Sequence, residues 1–502
     1  MGACKPELTQ RIPRQGVREW KALCGESKEY IQAVWDWMTE LEGEAAKNSH
    51  NSSLPPSRDG SEEKAKTNAK RRRRGRRGRR RKRGAQQGHP GHQRPLAEPE
   101  RVDQWKEHYP TECQGCGYCL VGVSPQGDPL HHQVAEIPEI EPSVTDHAQY
   151  QVICPECGTP TRAPLPPGEP TVCFGPNLRA LVVLLIGRYR LSRRETAEFC
   201  REVWGISVSV GTVANITARA AEALAEPYAE VERAVKDSTV CYMDETGWRQ
   251  KGRALHLWIA VVLGIAVLFR IGRRTKRVAQ ELLGKNYGGV VVSDRYAGYR
   301  WIPDERHQTC WSHLDRRFES LVERGGEAQA FGRAWLRQSR KLHRIWRTFQ
   351  EGRIRWRTMR RRMVRVETQV GGLLQVGLLS ADAAVRQLCR SLLEIQESLF
   401  VFVRIEGVEP TNNVGERGVR PAVQWRKICF GTQSRSGSRF VERILTVGST
   451  CRMQGRSVLA YLRAVFLAVD RRTAVPSLLA RPGPGSKTGA RAVGAATLRR
   501  TG

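Results

Sequence analysis

The sequence has no apolar stretch long enough to cross a membrane. The longest candidate, residues 255–269, has fifteen residues and includes His256 and Gly264, whereas a spanning helix needs about 20 mostly apolar residues. We interpret this stretch as two buried strands. The amino terminus also lacks the apolar core of a secretory signal, so we expect a cytoplasmic protein with no membrane partner.

Acidic residues are scarce relative to basic ones. The 502 residues contain 83 Lys+Arg but only 51 Asp+Glu, which leaves a net charge of +32. A chain of this length with 40% hydrophobic residues can form two to four folded units, which excludes a small disulfide-stapled module. The excess of positive charge predicts a polyanionic partner.

The positive charge is concentrated in two segments. Twelve of the fourteen residues from Lys70 to Arg83 are basic, and thirteen Lys and Arg between Phe331 and Val366 accompany a single acid. A solvated tail or a targeting signal is the alternative, but two runs, the second interleaved with tryptophans, indicate nucleic-acid contact surfaces. The predicted DNA-binding residues of the first run are Arg71, Arg72, Arg73 and Arg74.

The amino-terminal and carboxy-terminal parts predict flanking modules. Residues 14–45 carry apolar side chains at heptad positions, which indicates a leucine-zipper-like coiled coil, although an amphipathic helix packed on its own domain is equally compatible. Residues 46–95, which include the arginine run, have little to bury and predict a disordered linker. Residues 471–502 predict a disordered tail.

A cysteine-rich module is predicted at residues 100–165. The absence of a secretory signal favours reduced cysteines, and two Cys-x-x-Cys pairs offer four thiolates for a structural Zn²⁺. The predicted ligands are Cys113, Cys116, Cys154 and Cys157, with Cys119 as a possible substitute. Unpaired reduced thiols are the alternative.

Residues 172–232 predict a helix-turn-helix-like DNA-binding region. The pattern gives a helix from Arg193 to Val203, a turn through Ser207, and a second helix from Ser209 to Leu224. Any two packed helices joined by a glycine turn share this outline, so the pattern alone is weak.

Two aspartates directly follow predicted strands. Beyond Ser238 three strand patterns, a helix and a fourth strand indicate an α/β sheet, with Asp244 after the first strand and Asp294 after the fourth. Two adjacent strand ends can hold a divalent ion, although either aspartate alone is more often a turn or capping residue. Alternation places Glu245 on the opposite face, which makes it a reserve candidate.

A third carboxylate would complete a two-ion site for phosphoryl transfer. Glu416 is the candidate, on a helix that Asn412 or Asn413 can cap. Arg417 and Arg420 would then point outward to phosphates.

Several motifs together resemble one family. They are the Cys-x-x-Cys pairs after a Gly-His-Pro-Gly-His loop, Met-Asp244-Glu-Thr, Ser-Asp294-Arg-Tyr, Cys310-Trp-Ser-His313, Thr-Asn-Asn-Val-Gly-Glu416-Arg and Arg426-Lys427-x-x-Phe-Gly. Between residues 17 and about 469 the chain resembles the insertion sequence 66 family of bacterial transposases. The resemblance implies a multi-domain α/β protein with a ribonuclease-H-like DDE core at 236–470, which contains a basic helical insertion at about 320–405. Coiled-coil, zinc-binding and helix-turn-helix-like modules would precede the core.

The same resemblance implies site roles. Asp244, Asp294 and Glu416, separated by 50 and then 122 residues, would be the catalytic triad and hold Mg²⁺ or Mn²⁺. Arg417, Arg420, Arg426 and Lys427 would hold DNA phosphates. Cys310 and His313 would support the core in a structural or metal-adjacent role.

The expected function is that of a DNA transposase that binds element ends and cuts and joins strands. Its partners would be element ends and target DNA, a second copy of the chain, and small companion proteins encoded by the same element, at the nucleoid. Three alternatives remain: a zinc-dependent DNA-binding regulator, a catalytically inactive relic, and a structure-selective nuclease that cuts but never joins.

Overall fold

The computed structural model describes residues 95–479. The coiled-coil segment 14–45, nearly all of the linker 46–95 with Arg71, Arg72, Arg73 and Arg74, and most of the tail 471–502 lie outside the described residues. The described part forms two compact units. One contains residues 95–146 and 199–207, and the other contains residues 147–198 and 208–479.

The larger unit is built on a five-stranded mixed sheet. Its strands are β3 (Val240–Gln250), β4 (Arg253–Val262), β5 (Ala266–Gly272), β6 (Val290–Ser293) and β7 (His307–Thr309), in the order β5-β4-β3-β6-β7. β3, β4 and β5 pair antiparallel, whereas β6 and β7 run parallel to β3. A separate two-stranded hairpin, β1 (Gln151–Ile153) and β2 (Pro160–Arg162), precedes the sheet.

Local sequence explains the meander. Lys251 and Gly252 both have positive φ, at 48° and 75°, which is the backbone that a two-residue hairpin between β3 and β4 requires. The apolar stretch 255–269 forms parts of β4 and β5, as the sequence predicted, and Trp258 and Phe269 are fully buried in them. Among residues 95–479 no helix is long and apolar enough to span a membrane.

Helices flank the sheet in chain order. They are α1 (Pro176–Leu184), α2 (Arg193–Trp204), α3 (Val210–Ala223), α4 (Ala225–Lys236), α5 (Lys276–Leu283), α6 (Trp311–Arg324), α7 (Gly326–Gln350), α8 (Trp356–Gly377), α9 (Ala383–Leu393), α10 (Val401–Arg404), α11 (Asn413–Gly418), α12 (Arg420–Cys429), α13 (Arg435–Met453) and α14 (Val458–Asp470).

Helix α13 covers the free edge of strand β5. Side chains spaced four residues apart on the helix accept hydrogen bonds from alternate backbone N–H groups of the strand: Val267 to Thr450, Phe269 to Thr446 and Ile271 to Glu442, at 3.0, 3.0 and 2.6 Å. An uncovered edge strand could pair with another chain, so this contact closes the sheet on that side.

The two helices predicted for DNA contact are present as α2 and α3. Ser192 and Glu195 form a reciprocal capping box at the start of α2, and the Ser209 hydroxyl accepts the Thr212 N–H at the start of α3. Gly205, with φ of 65°, ends α2 and allows the turn.

Helices α6 to α10 form the predicted helical insertion, which begins at Trp311, earlier than residue 320. Trp335 is fully buried and stacks on Phe318 at 4.0 Å and on Trp311 at 5.2 Å between ring centroids. Trp346 is also buried, against Phe402. The interpretation of these tryptophans as nucleic-acid contacts is therefore wrong, because rings packed in a core are not free to stack on bases.

The basic residues of the insertion lie on the surface. On α7 Arg333, Arg337, Arg340, Arg344 and Arg347 are all exposed and recur every three or four residues, so they line one face of the helix. The buried residues of α7 follow the same spacing on the other face. We call these five residues the arginine face; it extends about 21 Å along the helix axis.

Candidate active site

Asp244 lies in the middle of strand β3, not at its end as the sequence predicted. The prediction was wrong because β3 continues to Gln250 in its pairing with β4, past the apolar run. On its other side, β3 pairs with β6 only from Val240 to Tyr242, so Asp244 lies where its parallel neighbour has already ended. This position leaves the carboxylate next to the end of β6.

Asp294 follows β6 directly and is level with Asp244. Tyr242 is paired with Val292, so two more residues along each parallel strand bring the two aspartates opposite each other. Neighbouring strands are about 4.8 Å apart, which places both carboxylates in one site. Asp294 Oδ1 also accepts the Tyr296 N–H at 2.9 Å, which fixes the turn after the strand.

Glu416 is carried to the same place by α11. Asn412 is the N-cap residue of this helix, as predicted, but its side chain does not cap it. Instead Asn412 Nδ2 donates to the Met243 carbonyl of β3 at 2.6 Å, and the Asn412 N–H donates to Cys310 Sγ at 3.1 Å. The start of α11 is therefore held directly beside Asp244, and the sequence did not reveal this role of Asn412.

Two glycines allow this close approach. A Cβ on Gly415 would lie 2.6 Å from Asn412 Oδ1, and a Cβ on Gly418 would lie 2.7 Å from Ile259 of β4. Gly415 weakens the short helix by intrinsic propensity, by about 1 kcal/mol. The structure shows the reason for it: a larger residue would displace the asparagine that attaches α11 to β3.

The electrostatics show that the carboxylates interact. The pKa of Asp244 is raised well above its usual value, first by burial and then by the negative charges of Glu245, Asp294 and Glu416. A buried group surrounded by like charges is destabilising unless a cation or a proton compensates it. The site thus favours a cation.

Glu245 is occupied by other partners. Its side chain is 4% exposed, Arg274 forms an ion pair with it at 2.7 Å, and the Tyr299 hydroxyl donates to it at 3.0 Å. Arg274 also lies 3.9 Å from the ring centre of Tyr296. These contacts compensate the Glu245 charge within the protein, which distinguishes it from Asp244.

Cys310 and His313 lie beside Glu416. Both follow the short strand β7, as expected, and His313 Nδ1 is 3.5 Å from Glu416 Oε1, with Arg316 3.2 Å from the same oxygen. Burial raises the pKa of the Cys310 thiol to about 11. The pKa of His313 is lowered by burial and by Arg316. Sequence reasoning missed Arg316, although its spacing of three from His313 places both on one helix face.

The basic residues after Glu416 fall into two groups. Arg417, Arg420 and Lys427 are exposed. Arg426 is half-buried and donates to the Gly247 carbonyl of β3 at 3.1 Å, so it attaches α12 to the sheet.

The two Cys-x-x-Cys pairs have the same backbone geometry. In each, the first cysteine accepts a hydrogen bond from a glycine four residues later and donates to the carbonyl of the next residue: Gly117 and Tyr118 for Cys113, Gly158 and Thr159 for Cys154. Both glycines have positive φ, 73° and 71°. The partner cysteines are Cys116 and Cys157, and Cys119 follows the first turn in a bridge to Glu112. Each pair thus forms a tight turn of the kind that aims two sulfurs at one ion.

The carboxylate site fits a divalent cation. Asp244, Asp294 and Glu416 supply the oxygen ligands that Mg²⁺ and Mn²⁺ prefer, and their mutual repulsion has no compensating base at Asp244. Asn412 Oδ1 beside them is buried without a hydrogen-bond partner. A buried oxygen of this kind indicates a polar site that the protein alone does not satisfy.

Comparisons with known proteins agree with the resemblance in the sequence. The model of the IS66 family of transposases matches residues 171–439, more than half of the chain, and the protein therefore belongs to that family. A model of a family of unknown function matches residues 9–95.

Two curated relatives come from Sinorhizobium fredii (strain NBRC 101917 / NGR234). The uncharacterized protein y4hP is 24% identical over 417 residues, which cover 75% of this chain and 74% of the relative. The uncharacterized protein y4qI is 26% identical over 215 residues, 39% of each chain. The chain thus covers less than two thirds of the second relative.

Proposed function

We propose that this transposase-family protein is a DDE enzyme that cuts the ends of an insertion sequence and joins them to target DNA. The observation that carries the proposal is the meeting of Asp244, Asp294 and Glu416 around one end of the sheet. The strand order β5-β4-β3-β6-β7, with β4 and β5 antiparallel and β6 and β7 parallel to β3, supports a ribonuclease-H-like core.

The three carboxylates would hold Mg²⁺ or Mn²⁺. When bound, a pair of such ions activates the attacking oxygen and stabilises the leaving oxygen of a phosphodiester. Asp244 and Asp294 supply ligands from rigid strands, while the asparagine contact with β3 sets the position of Glu416. Exposed Arg417 and Arg420, which follow Glu416 directly, would bind phosphates of the DNA and so orient the scissile bond.

Other parts of the chain would supply DNA affinity. Helices α2 and α3 would form the helix-turn-helix-like contact, the arginine face would bind phosphates beside the core, and Lys427 would add to this surface. The two cysteine turns would share one structural Zn²⁺. Synapsis of two ends calls for a second copy of the chain, with companion proteins of the same element as further partners, at the nucleoid of the cytoplasm.

The proposal is tested with a labelled duplex of the DNA that flanks the gene. The wild type is compared with Asp244→Asn, Asp294→Asn and Glu416→Gln, for Mg²⁺- or Mn²⁺-dependent cleavage, strand joining and DNA binding. We expect each isosteric change to lower cleavage at least about a thousandfold while binding is retained, because each removes a ligand without changing shape.

The alternatives give different outcomes. A structure-selective nuclease would cut without joining. A DNA-binding regulator or an inactive relic would bind the duplex, with the wild type and all three variants equally unable to cut it. Either result would overturn the proposal.

A further inference from the structure

A second group of possible metal ligands lies next to the three carboxylates. Cys310, His313 and Glu416 each offer one ligand atom, and these atoms lie within 4.8 Å of one another. Among the described residues 95–479 this is the one group of three or more such side chains that meets this distance. Two of its members, Cys310 and His313, have no assigned part in phosphoryl transfer.

The local fold places the two ligands of α6 together. Cys310 is the N-cap residue of this helix, and the His313 N–H donates to the Cys310 carbonyl at 3.2 Å. Residues three apart on a helix lie on the same side, so a Cys-x-x-His spacing at a helix start can aim a thiol and an imidazole at one point. Glu416 approaches that point from α11, a separate segment of the chain.

The distances suit a tetrahedral ion. Zn–N and Zn–O bonds of about 2.0–2.1 Å at tetrahedral angles separate two ligand atoms by roughly 3.4 Å. His313 Nδ1 is 3.5 Å from Glu416 Oε1. Moreover, His313 Nδ1 is buried without a hydrogen-bond partner, which is unusual for a buried ring nitrogen.

The ligand types select the metal. A thiolate, an imidazole and a carboxylate favour Zn²⁺, whereas Mg²⁺ takes oxygen ligands almost exclusively. The Asn412 N–H, which donates to Cys310 Sγ at 3.1 Å, would stabilise a thiolate there. Arg316, 3.2 Å from Glu416 Oε1, opposes a cation, so it must move away when the ion binds.

We propose that Cys310, His313 and Glu416 form a Zn²⁺ site that competes with the catalytic carboxylate site for Glu416. Zinc bound there has three protein ligands and one open position. Because it uses the carboxylate that the proposed Mg²⁺ site also needs, zinc inhibits strand cleavage. The inhibitory part of this inference rests on the proposed function, but the binding part does not.

The binding part is tested by metal content. The full-length chain is equilibrated with buffered Zn²⁺ and compared with Cys310→Ser, His313→Ala and the control Cys451→Ser, a buried cysteine on α13. We expect the first two variants to bind one Zn²⁺ fewer per chain than the wild type, with the control unchanged. Thermal melting checks that each variant is folded, and serine at the N-cap position of α6 suits a helix start.

Cobalt provides an independent signal. Co²⁺ added to the zinc-loaded cysteine turns reports a further thiolate ligand through its charge-transfer absorption. We expect this band in the wild type and in Cys451→Ser, and its loss in Cys310→Ser. Equal Zn²⁺ content in all folded variants, or a band that survives in Cys310→Ser, would overturn the site.

The inhibitory part is tested with the cleavage assay in excess Mg²⁺. We expect micromolar Zn²⁺ to inhibit wild type and Cys451→Ser at least about tenfold, a 1.4 kcal/mol effect, and Cys310→Ser to resist. Equal inhibition of Cys310→Ser would refute the competition even if zinc binds. A wild type that binds zinc but never cuts DNA would refute the proposed function and leave the binding result intact.

Discussion

The carboxylate site and the arginine face concentrate charge in opposite ways. Asp244 is surrounded by like charges at a buried place, and its pKa is raised for that reason. The arginines of α7 are exposed to water, each on the side of the helix away from the core. Buried like charges cost free energy unless a ligand compensates them, whereas exposed ones cost little and act over a Debye length. The first region therefore suits one tightly placed ion, and the second suits a flexible polyanion.

The two regions share a structural support. Trp311, at the start of the helix that carries His313, stacks on Trp335 of the helix that carries the arginine face. The Trp311 N–H also donates to the Pro410 carbonyl, just before the segment that carries Glu416. One aromatic cluster thus holds both the active-site side and the basic side in place.

The largest expected effect comes from this cluster. Trp335→Ala would remove a fully buried ring that stacks on Trp311 and Phe318, and should lower the free energy of unfolding by about 3–5 kcal/mol. Urea denaturation measures this effect. Retained stability together with weaker DNA binding would instead restore the prediction that this ring contacts nucleic acid.

The next effect concerns the packing around Glu416. Gly415→Ala should lower cleavage about a hundredfold, since a Cβ there would lie 2.6 Å from Asn412 Oδ1 and displace α11 from β3. Single-turnover cleavage measures it. Gly448→Ala on α13 is the matched control, because its Cβ would meet no atom within 4 Å, and it should leave cleavage unchanged. Equal rates for both variants would contradict the role of Asn412.

A smaller effect is expected at the arginine face. Replacing Arg337, Arg340 and Arg344 by Gln should reduce the slope of log affinity against log salt by about 3, because each phosphate that an arginine neutralises adds about 0.9 to that slope. The matched control replaces Arg219, Arg233 and Arg277, three exposed arginines on other helices, and should change the slope far less. DNA titrations at several salt concentrations decide between them, and equal slopes in the two triple variants would show that the arginine face does not bind DNA.

The smallest effect is a pH dependence of stability. Because the pKa of Asp244 is raised in the folded protein, the metal-free fold loses stability as pH rises from the unfolded pKa toward the folded one. Asp244→Asn should therefore raise the melting temperature of metal-free protein at neutral pH by a few degrees, and this gain should vanish in acid, where the wild-type carboxyl is neutral too. Melting curves across pH check it, and a gain that persists in acid would point to a cause other than charge.

Much of the sheet could be predicted from apolar runs. The stretch 255–269 gave two strands, and the runs before Asp244 and Asp294 gave the parallel pair, because burial on both faces leaves a local signature. The length of β3 could not be predicted, because the polar residues from Asp244 to Gln250 are kept in a strand by pairing with β4, which is a non-local contact.

The site shows the same division between local and non-local information. The aspartates were visible from their place after strands. The contact of Asn412 with Met243 joins residues far apart in the chain, and the burial of Trp335 depends on Phe318 and Trp311, so neither could be derived from local pattern. The basic composition around the tryptophan pointed to nucleic acid, whereas its heptad-like spacing was that of a core position.

Metal binding by the aspartates is the most direct test of the central claim. The metal-free full-length chain is titrated with Mn²⁺, and the free ion is followed by electron paramagnetic resonance for wild type, Asp244→Asn, Asp294→Asn and the neighbouring control Glu245→Gln. We expect wild type and control to bind Mn²⁺ and both aspartate variants to bind it at least about tenfold more weakly. Equal binding by all four proteins would contradict a metal site formed by Asp244 and Asp294.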